Sequence, residues 1–409
     1  MTTHTAEHAK LSPSSSKQWF ACPGSVAMQA SIPNNPSRHS DDGTAMHWVA
    51  AECLRVELDA FAYIGENIPV NGAGEPERTV QFDPDMAELV QGYVETVRKL
   101  AAGKRLLVEQ RVEFSHFVDV PDQFGTADTI ILDIGPGAGE MMLIDLKTGH
   151  TPVLVDENSQ LMIYALGALK KIADEDGFGP WEAAAEHGIK TVRLAIYQPK
   201  VAGFTEWTCT IEQLREFATL ARDKAQTAIG AEQALKALPF DQWQKIYLNP
   251  DPTDEDCAFC RAMPTCPSVR AKIERTVGAE FKVIDELQSL PHPDLTEENP
   301  VEGGPLYTDD VLAQAMAVAP LVEDFFKSVR AEVERRLLAG QAVPGFGLEL
   351  GRKGPRQWSD EAKVVDLMRN RFRLTLTDIY NMKLKSPTAI EKIAAPVKTK
   401  GDDGKVTVV

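Results

Sequence analysis

Three charged residues near the middle of this 409-residue chain have types and spacing that could hold a divalent cation: Asp128, Asp145 and Lys147. Each aspartate lies in an apolar, β-favouring run, and the two runs flank a turn rich in glycine and proline, which is the pattern of a β-hairpin. If the turn is centred between Pro136 and Gly137, Asp128 lies directly opposite Asp145. Lys147 follows Asp145 by two residues and therefore points to the same face of the strand.

Two facing carboxylates need a compensating positive charge, because like charges opposite each other in a strand pair are destabilising. The run 141–146 is almost entirely apolar on both faces, as in a covered central strand, where an unpaired charge is costly. The simpler alternative is a surface hairpin with solvated charges. We predict instead that Asp128 and Asp145 bind Mg²⁺ or Mn²⁺, which would activate a water molecule and stabilise charge on a phosphate. Lys147 would polarise the phosphate or orient the attacking water.

The hairpin is predicted to lie within a small mixed sheet flanked by helices. Apolar residues at helical spacing or in alternation predict helices over 42–56, 84–100, 156–172 and 210–237 and strands over 105–114 and 191–198. The order strand, hairpin, helix, strand describes a mixed α/β core.

Four further polar side chains lie on these elements. His47 lies in the first turns of the first helix, and Glu109 lies on the first strand, where alternation places it on the same face as Leu107. Gln160 and Tyr164 are four residues apart and share one face of the third helix. Each also has an ordinary explanation, as a helix histidine, a solvated strand charge paired with a basic neighbour, or a pair on a helix surface.

Together these motifs resemble those of the PD-(D/E)XK nuclease superfamily. The residues that carry the resemblance, to its RecB-like branch with a Gln-x-x-x-Tyr motif, are Gly125-Thr126-Ala127-Asp128, Asp145-Leu146-Lys147, Gln160 and Tyr164, over about residues 10–270. The resemblance implies a restriction-endonuclease-like core and a metal-dependent DNA nuclease, an exonuclease that acts on DNA ends or single strands.

The resemblance also implies roles for the candidate residues. The metal ligands would be Asp128, Asp145, His47 and the Leu146 carbonyl, with Glu109 supporting a second ion or a water molecule. Lys147 would stabilise the phosphate in the transition state. Gln160 and Tyr164 would contact the DNA strand or Lys147.

A second candidate site is formed by four of the six cysteines: Cys22, Cys257, Cys260 and Cys266. A reducing cytoplasm disfavours structural disulfides, and three thiols in a short loop favour metal binding, with Cys22 as the fourth ligand of a zinc ion or a [4Fe–4S] cluster. One upstream cysteine and a C-terminal triplet resemble the iron–sulfur domain of RecB-like nucleases of the AddB and CRISPR-adaptation types. This resemblance implies a [4Fe–4S] cluster that staples the two ends of the nuclease core together. The other two cysteines, Cys53 and Cys209, are predicted to be buried apolar residues.

Charge and composition limit the partners. A net charge of −17 argues against a uniformly basic nucleic-acid binder, but residues 352–400 contain 12 Lys and Arg against 5 Asp and Glu. Within this stretch Arg352, Lys353 and Arg356 could contact phosphates, with a solvated charged surface as the alternative. The sequence has no run of about 18 apolar residues, no apolar signal segment at its N-terminus and no Gly-x-x-x-x-Gly-Lys-Ser/Thr motif. We therefore expect a cytoplasmic protein that binds DNA and neither a membrane nor ATP.

These observations predict four segments: a nuclease domain with the iron–sulfur region over 1–280, a linker over 281–306, a helical, basic C-terminal domain over 307–395 and a disordered tail over 396–409. The whole architecture resembles a phage- or prophage-encoded family of formerly unassigned function, which implies phage recombination or replication proteins as further partners. The alternative function is a non-catalytic nucleic-acid-binding recombination accessory protein on a nuclease fold. A structural virion protein is a weaker third alternative.

Overall fold

The computed structural model describes residues 9–32, 38–71, 78–134, 139–275, 309–348, 361–373, 398–400 and 406–408. The chain divides into two units, Met1–Pro344 and Gly345–Val409. The first unit contains the strands that carry Asp128 and Asp145.

The first unit is built on a mixed five-stranded sheet, with a separate pair of short strands, β1 (Asn67–Pro69) and β2 (Thr79–Gln81). The strands of the main sheet, in spatial order, are β3 (Arg105–Glu113), β4 (Phe124–Asp133), β5 (Glu140–Leu146), β6 (Thr191–Gln198) and β7 (Gly203–Thr210). Strands β5 and β6 are parallel, and the other neighbouring pairs are antiparallel. A parallel pair needs a crossover connection, which the helices between β5 and β6 provide.

Helices cover both faces of this sheet. The described helices of the first unit are, in chain order, α1 (Ser16–Ala21), α2 (Ser25–Gln29), α3 (Arg38–Val56), α4 (Pro84–Leu100), α5 (Ser115–Val118), α6 (Ser159–Asp176), α7 (Pro180–Glu186), α8 (Ile211–Leu235), α9 (Phe240–Tyr247), α10 (Asp254–Cys257), α11 (described over 267–275) and α12 (Asp309–Leu338). Helices α6 and α8 pack on one face of the sheet, and α3 and α4 pack on the other. The result is a mixed α/β fold of three layers. Within the described residues, no helix is both long enough and apolar enough to cross a membrane.

The central strands send alternate side chains to the two helical layers. Ile130 and Leu143 pack in the α6–α8 layer, whereas Ile131 and Met142 pack in the α3–α4 layer. Burial on both sides explains why these strands read as nearly continuous apolar runs.

The register between β4 and β5 is the one predicted from the turn. Thr129 pairs with Ile144, so the next positions in the same register are Asp128 and Asp145, at the end of the ladder. This register is symmetric about the point between residues 136 and 137. The predicted register is therefore confirmed up to Thr129 and Ile144, and Asp128 and Asp145 lie one position beyond this last pair. The prediction that the two carboxylates converge on one face is wrong, because Asp128 meets His47 of α3 and Asp145 meets Gln160 of α6.

Side-chain caps start the helices that support the site. The Asp83 carboxylate accepts a hydrogen bond from Met86 N at 2.8 Å at the start of α4. The Asn158 side chain does the same for Leu161 N at 3.2 Å at the start of α6. Such caps satisfy amide groups that a helix leaves unpaired at its first turn.

The predicted helices and strands agree with α3, α4, α6, α8, β3 and β6 to within four residues at either end. The sequence does not predict β7, α7 or α9. Strand β6 ends before Pro199 as expected, but the chain reverses and begins β7 at Gly203, which has a φ of +71°. Because β7 is an edge strand with mostly half-exposed or exposed side chains, its sequence lacks the continuous apolar run of its neighbours.

Helix α12 belongs to the first unit. Its residues Val318 and Leu321 pack with Met263 and Val269 in one apolar cluster. The division of the chain therefore falls later than the linker expected over 281–306, which lies outside the described residues.

The second unit is described over α13 (Glu361–Phe372), β8 (Lys398–Lys400) and β9 (Val406–Val408). Strands β8 and β9 pair antiparallel, although the sequence predicts a disordered tail over 396–409. β-favouring threonine and valine residues in the two paired segments explain this pairing. The predicted phosphate contacts Arg352, Lys353 and Arg356 lie outside the described residues.

Candidate active site

Three carboxylates occupy one row across neighbouring strands of the sheet. Glu109 on β3 lies opposite Asp128 on β4, between two formed backbone pairs, and Asp145 on β5 is the next residue in the row. Glu109 has a φ of +49°, in the left-handed region. This backbone conformation is uncommon for a glutamate and costs energy, and such residues cluster at functional sites.

The backbone at Glu109 turns its side chain toward α3. Leu107 and Val112 of β3 both pack in the α6–α8 layer. They lie an odd number of positions apart, so in a regular strand their side chains would point to opposite faces. The alternation of the strand therefore changes between them. Glu109 lines a small cavity together with His47 of α3. The prediction that Glu109 shares a face with Leu107 is therefore wrong, because regular alternation does not continue through the left-handed residue.

Helix α3 presents His47 to this cavity. Met46, Val49 and Ala50 are buried in the α3–α4 layer and fix the helix against the sheet. His47 Nδ1 lies 3.2 Å from Asp128 Oδ1.

The side chains of His47, Glu109 and Asp128 form a compact group of possible metal ligands. One ligand atom from each lies within 4.8 Å of the other two, and all three residues are half-buried. Two carboxylate oxygens suit Mg²⁺ or Mn²⁺, and an imidazole nitrogen can complete such a set. The residues present therefore fit a divalent cation.

Asp128 is held in place from two sides. Its Oδ2 accepts a hydrogen bond from Leu146 N at 2.7 Å, while its Oδ1 faces His47. The Leu146 backbone, whose carbonyl is an expected metal ligand, is therefore adjacent to the compact group.

Asp145 belongs to a second group, which it forms with Lys147 and Gln160 on the α6 side. Asp145 Oδ2 is 2.9 Å from Lys147 Nζ, an ion pair without the angles of a hydrogen bond, so this buried oxygen lacks a hydrogen-bond donor. Gln160 Nε2 donates to Asp145 Oδ1 at 3.2 Å, and Gln160 Oε1 accepts from Lys147 Nζ at 3.1 Å. The expected metal-ligating side chains were those of His47, Asp128 and Asp145. The structure places Asp145 outside the compact group, and it places Glu109 within it.

The Gln160–Tyr164 pair holds the side chains of this second group in position. Gln160 Nε2 also lies 3.2 Å from Tyr164 Oη, one helical turn away. Of the two contacts expected for the pair, DNA or Lys147, the structure contains the contact of Gln160 with Lys147. Gln160 fixes both the lysine and the aspartate of the second group.

Burial and neighbouring charges shift the pKa values of the residues in this site. Burial and then repulsion from Asp128 raise the pKa of Glu109 to about 7. Burial also raises the pKa of Asp145, although the charge of Lys147 opposes the change. Burial alone would lower the pKa of His47, but the charge and hydrogen bond of Asp128, together with the charges of Asp145 and Glu109, raise it to about 9. A bound cation would relieve this repulsion among the carboxylates.

Sequence reasoning missed Tyr93 of α4, whose hydroxyl group contacts the strands just before the two aspartates. Its buried hydroxyl lies 2.7 Å from Thr129 Oγ1 and 3.5 Å from the Ile144 carbonyl. Thr129 and Ile144 form the last backbone pair before the two aspartates. The available signal was a polar group at a predicted core position on each element: Tyr93 at helical spacing between Val90 and Val97, and Thr129 beside the apolar run of β4.

The four cysteines predicted to bind metal come close to one another near the ends of α1 and α10. Burial and then the charges of Cys260, Cys266 and Cys22 raise the pKa of Cys257. Burial raises the pKa of Cys260 to about 11. Cys22 Sγ accepts a hydrogen bond from Asn249 N at 3.4 Å. The four thiols are free and half-buried.

Among the described residues, one group of at least three possible ligand atoms has all its members within 4.8 Å of one another. This is the group at His47, and the four cysteines form no such group. Four thiolates around one zinc ion would lie about 3.8 Å apart, given a Zn–S distance of about 2.3 Å. The remaining cysteines, Cys53 and Cys209, are buried in the apolar layers, as predicted.

Comparison with known proteins gives a family and two structural likenesses. The chain is similar to an alkaline exonuclease, LHK-Exo, from Laribacter hongkongensis, at 9% identity and a TM-score of 0.20, over 54% of this chain and 96% of that one. It is also similar to LHK-Exo in complex with dAMP, at 11% identity and a TM-score of 0.20, over 55% of this chain and 94% of that one. These TM-scores are too low for the folds to be equated. Residues 8–403 match the family described as a protein of unknown function (DUF2800), and the chain therefore belongs to this family.

Proposed function

We propose that this protein is a metal-dependent DNA nuclease, an exonuclease that acts on DNA ends or single strands. The observation that carries the proposal is the convergence of His47, Glu109 and Asp128 on one point, beside the buried pair of Asp145 and Lys147. A binding module has no need of clustered carboxylates, which repel the phosphates of DNA unless a cation lies between them.

His47, Glu109 and Asp128 would hold the first Mg²⁺ or Mn²⁺ ion, and Asp145 Oδ2, which also pairs with Lys147, could complete its ligands from the neighbouring strand. Such an ion lowers the pKa of a bound water molecule and stabilises negative charge on a phosphate. The protein's own part is to fix the ligands. The Leu146 amide orients Asp128, and Gln160 orients Asp145.

Lys147 would stabilise the charge that develops on the phosphate. It is held by Asp145 and by Gln160, so its ammonium group needs little rearrangement when a substrate arrives. The charges of Asp145 and Asp128 outweigh burial and raise the pKa of Lys147, which keeps it positively charged at neutral pH.

The four cysteines would hold a [4Fe–4S] cluster that joins the N-terminal helices to the segment after α9. Four thiols and amide donors such as Asn249 N suit an iron–sulfur site. Anaerobically purified protein should contain iron and sulfide, and stoichiometric zinc in a colourless, active protein would overturn this assignment.

The decisive experiment is digestion of end-labelled single- and double-stranded DNA with Mg²⁺ or Mn²⁺. We expect Asp145→Asn and Lys147→Ala each to lower the rate by roughly 100-fold or more, as for other groups that stabilise transition-state charge. A matched control is Asp133→Asn, which removes a carboxylate from the other end of the same hairpin, where it pairs with Lys104. Full activity of either site variant would contradict the mechanism.

The same assay separates the proposal from its main alternative, a non-catalytic recombination accessory protein. Tight binding of DNA without cleavage in either metal would support the accessory protein. Cleavage of linear but not of circular single-stranded DNA would support action at ends. The setting in phage DNA replication, recombination or repair is part of the same proposal and rests on the sequence resemblance alone.

A further inference from the structure

Phe259 is the most exposed large apolar side chain in the part of the chain that the structure describes. It is 91% exposed and has a φ of +60°, in the left-handed region that bulky residues rarely adopt. Exposing an aromatic ring and holding its backbone in a strained conformation both cost stability. A ring in this position contributes nothing to the core, and it is open to contact with another molecule.

The loop that presents Phe259 is held on both sides. The preceding carbonyl, of Ala258, accepts a hydrogen bond from the buried Gln18 side chain. After the ring, Arg261 N donates to Gln29 Oε1 at 3.0 Å, and Arg261 Nη1 donates to the Ile32 carbonyl at 2.6 Å. The ring is therefore presented by a fixed loop rather than by a free end.

The loop is connected to the candidate active site through α1. Gln18, which holds the loop, lies two residues after Ser16 on α1. Ser16 Oγ in turn lies 2.7 Å from Ser159 Oγ, and Ser159 directly precedes Gln160 of the candidate site. One short helix thus spans the distance between the exposed ring and the residue that positions Lys147.

The chemistry around the ring suits a single-stranded nucleic acid. Single strands bind where an aromatic ring offers a stacking surface and a basic group lies near the backbone. The guanidinium group of Arg261 donates to a neutral carbonyl, which leaves its positive charge available to a phosphate. Lys17, next to Gln18, already forms an ion pair with Glu255, so Arg261 is the better candidate.

We propose that Phe259 is a stacking platform for a base of single-stranded DNA, a few nucleotides from the bond that is cut. The proposal rests on the proposed nuclease function for its substrate. It adds a contact outside the metal site, with the ring binding a base and Arg261 binding the adjacent phosphate.

The test is binding of a fluorescent 20-nucleotide single-stranded DNA, measured by anisotropy in EDTA so that cleavage plays no part. We expect Phe259→Ala to weaken DNA binding by roughly 5- to 150-fold, which is the loss that corresponds to the stacking of one base. Phe259→Trp should retain binding because it keeps an aromatic face. The matched control is Ile246→Ala on α9, which truncates another apolar side chain, 62% exposed. Equal iron content in all variants shows that the cysteine region is intact.

Kinetics with two substrates separate this proposal from the nuclease proposal. Phe259→Ala should raise KM for the 20-mer and leave hydrolysis of thymidine 5′-(p-nitrophenyl phosphate), which is too small to reach the loop, unchanged. The stacking role would be overturned if Phe259→Ala left DNA affinity unchanged, or if Phe259→Trp lost as much DNA affinity as Phe259→Ala. The exposed ring would then be explained by a protein partner. Cleavage of neither substrate by the wild type would overturn the nuclease function, while the anisotropy result would still decide the stacking role.

Discussion

Glu109→Gln should stabilise the metal-free protein at alkaline pH, although Glu109 belongs to the candidate active site. The pKa of Glu109 is raised from 4.5 to about 7, chiefly by burial and by Asp128. The folded protein therefore holds this proton more tightly than the unfolded chain does. The free energy of unfolding falls as pH rises between these two values, and the full cost is present above pH 7.

The size of the effect follows from the two pKa values. Their difference corresponds to about 3 kcal/mol at pH 8.5, an upper estimate for a half-buried group. The same arithmetic gives less than about 1 kcal/mol at pH 5, where the folded protein keeps the proton. The attraction between Glu109 and His47 is already included, because it is one of the causes that set the pKa.

The metal should act in the opposite sense. At a Mn²⁺ concentration of about 100 times its Kd, the wild type should gain about 2.7 kcal/mol. A variant that binds tenfold more weakly should gain only about 1.4 kcal/mol. The substitution therefore stabilises the empty site and reduces the additional stabilisation by metal.

The assay is urea unfolding followed by tryptophan fluorescence at pH 5 and 8.5, in EDTA and in Mn²⁺. The control is Glu113→Gln, which changes an exposed glutamate at the end of the same strand and should change stability little under all four conditions. If Glu109→Gln destabilises the protein in EDTA at pH 8.5, or stabilises it equally at both pH values, the repulsion inferred from the geometry is absent.

Three further predictions concern the support of the site. Tyr93→Phe should lower the free energy of unfolding by about 1–2 kcal/mol, since it leaves the buried Thr129 hydroxyl without its 2.7 Å partner; urea unfolding measures this. Gly125→Ala should lower both stability and the rate of DNA cleavage, because its Cβ would lie 2.7 Å from Tyr164; a normal melting temperature would contradict the clash. Cys266→Ser should lose bound iron and melt at a lower temperature than the wild type, and retention of the full iron content would remove Cys266 from the proposed cluster.

The hairpin could be predicted because its information is local. The apolar runs on both sides of the turn have one register that keeps each side chain in its layer, and a slip of one residue would exchange the layers. The turn residues themselves select the same register. The positions of Asp128 and Asp145 follow directly from it.

The composition of the ligand group could not be predicted in the same way. A change of strand alternation at Glu109 depends on a positive φ, and glutamate gives no signal for such a conformation. A glycine or asparagine at this position would have suggested it. The edge strand β7 escaped prediction for a related reason, because exposure on an edge removes the apolar pattern that marks the inner strands.

The end of the β4–β5 ladder coincides with the division of the site between two layers of the fold. Backbone pairing between these two strands ends at Thr129 and Ile144, one position before Asp128 and Asp145, and the two carboxylates meet different layers. Asp128 meets His47 from the α3 layer, and Asp145 meets Gln160 from the α6 layer. A sequence motif along the hairpin shows both aspartates, but it does not show which helical layer each side chain meets. The division into the compact group at His47 and the lysine group is therefore a property of the packing of α3 and α6 on the sheet, and it arises where the ladder between β4 and β5 ends.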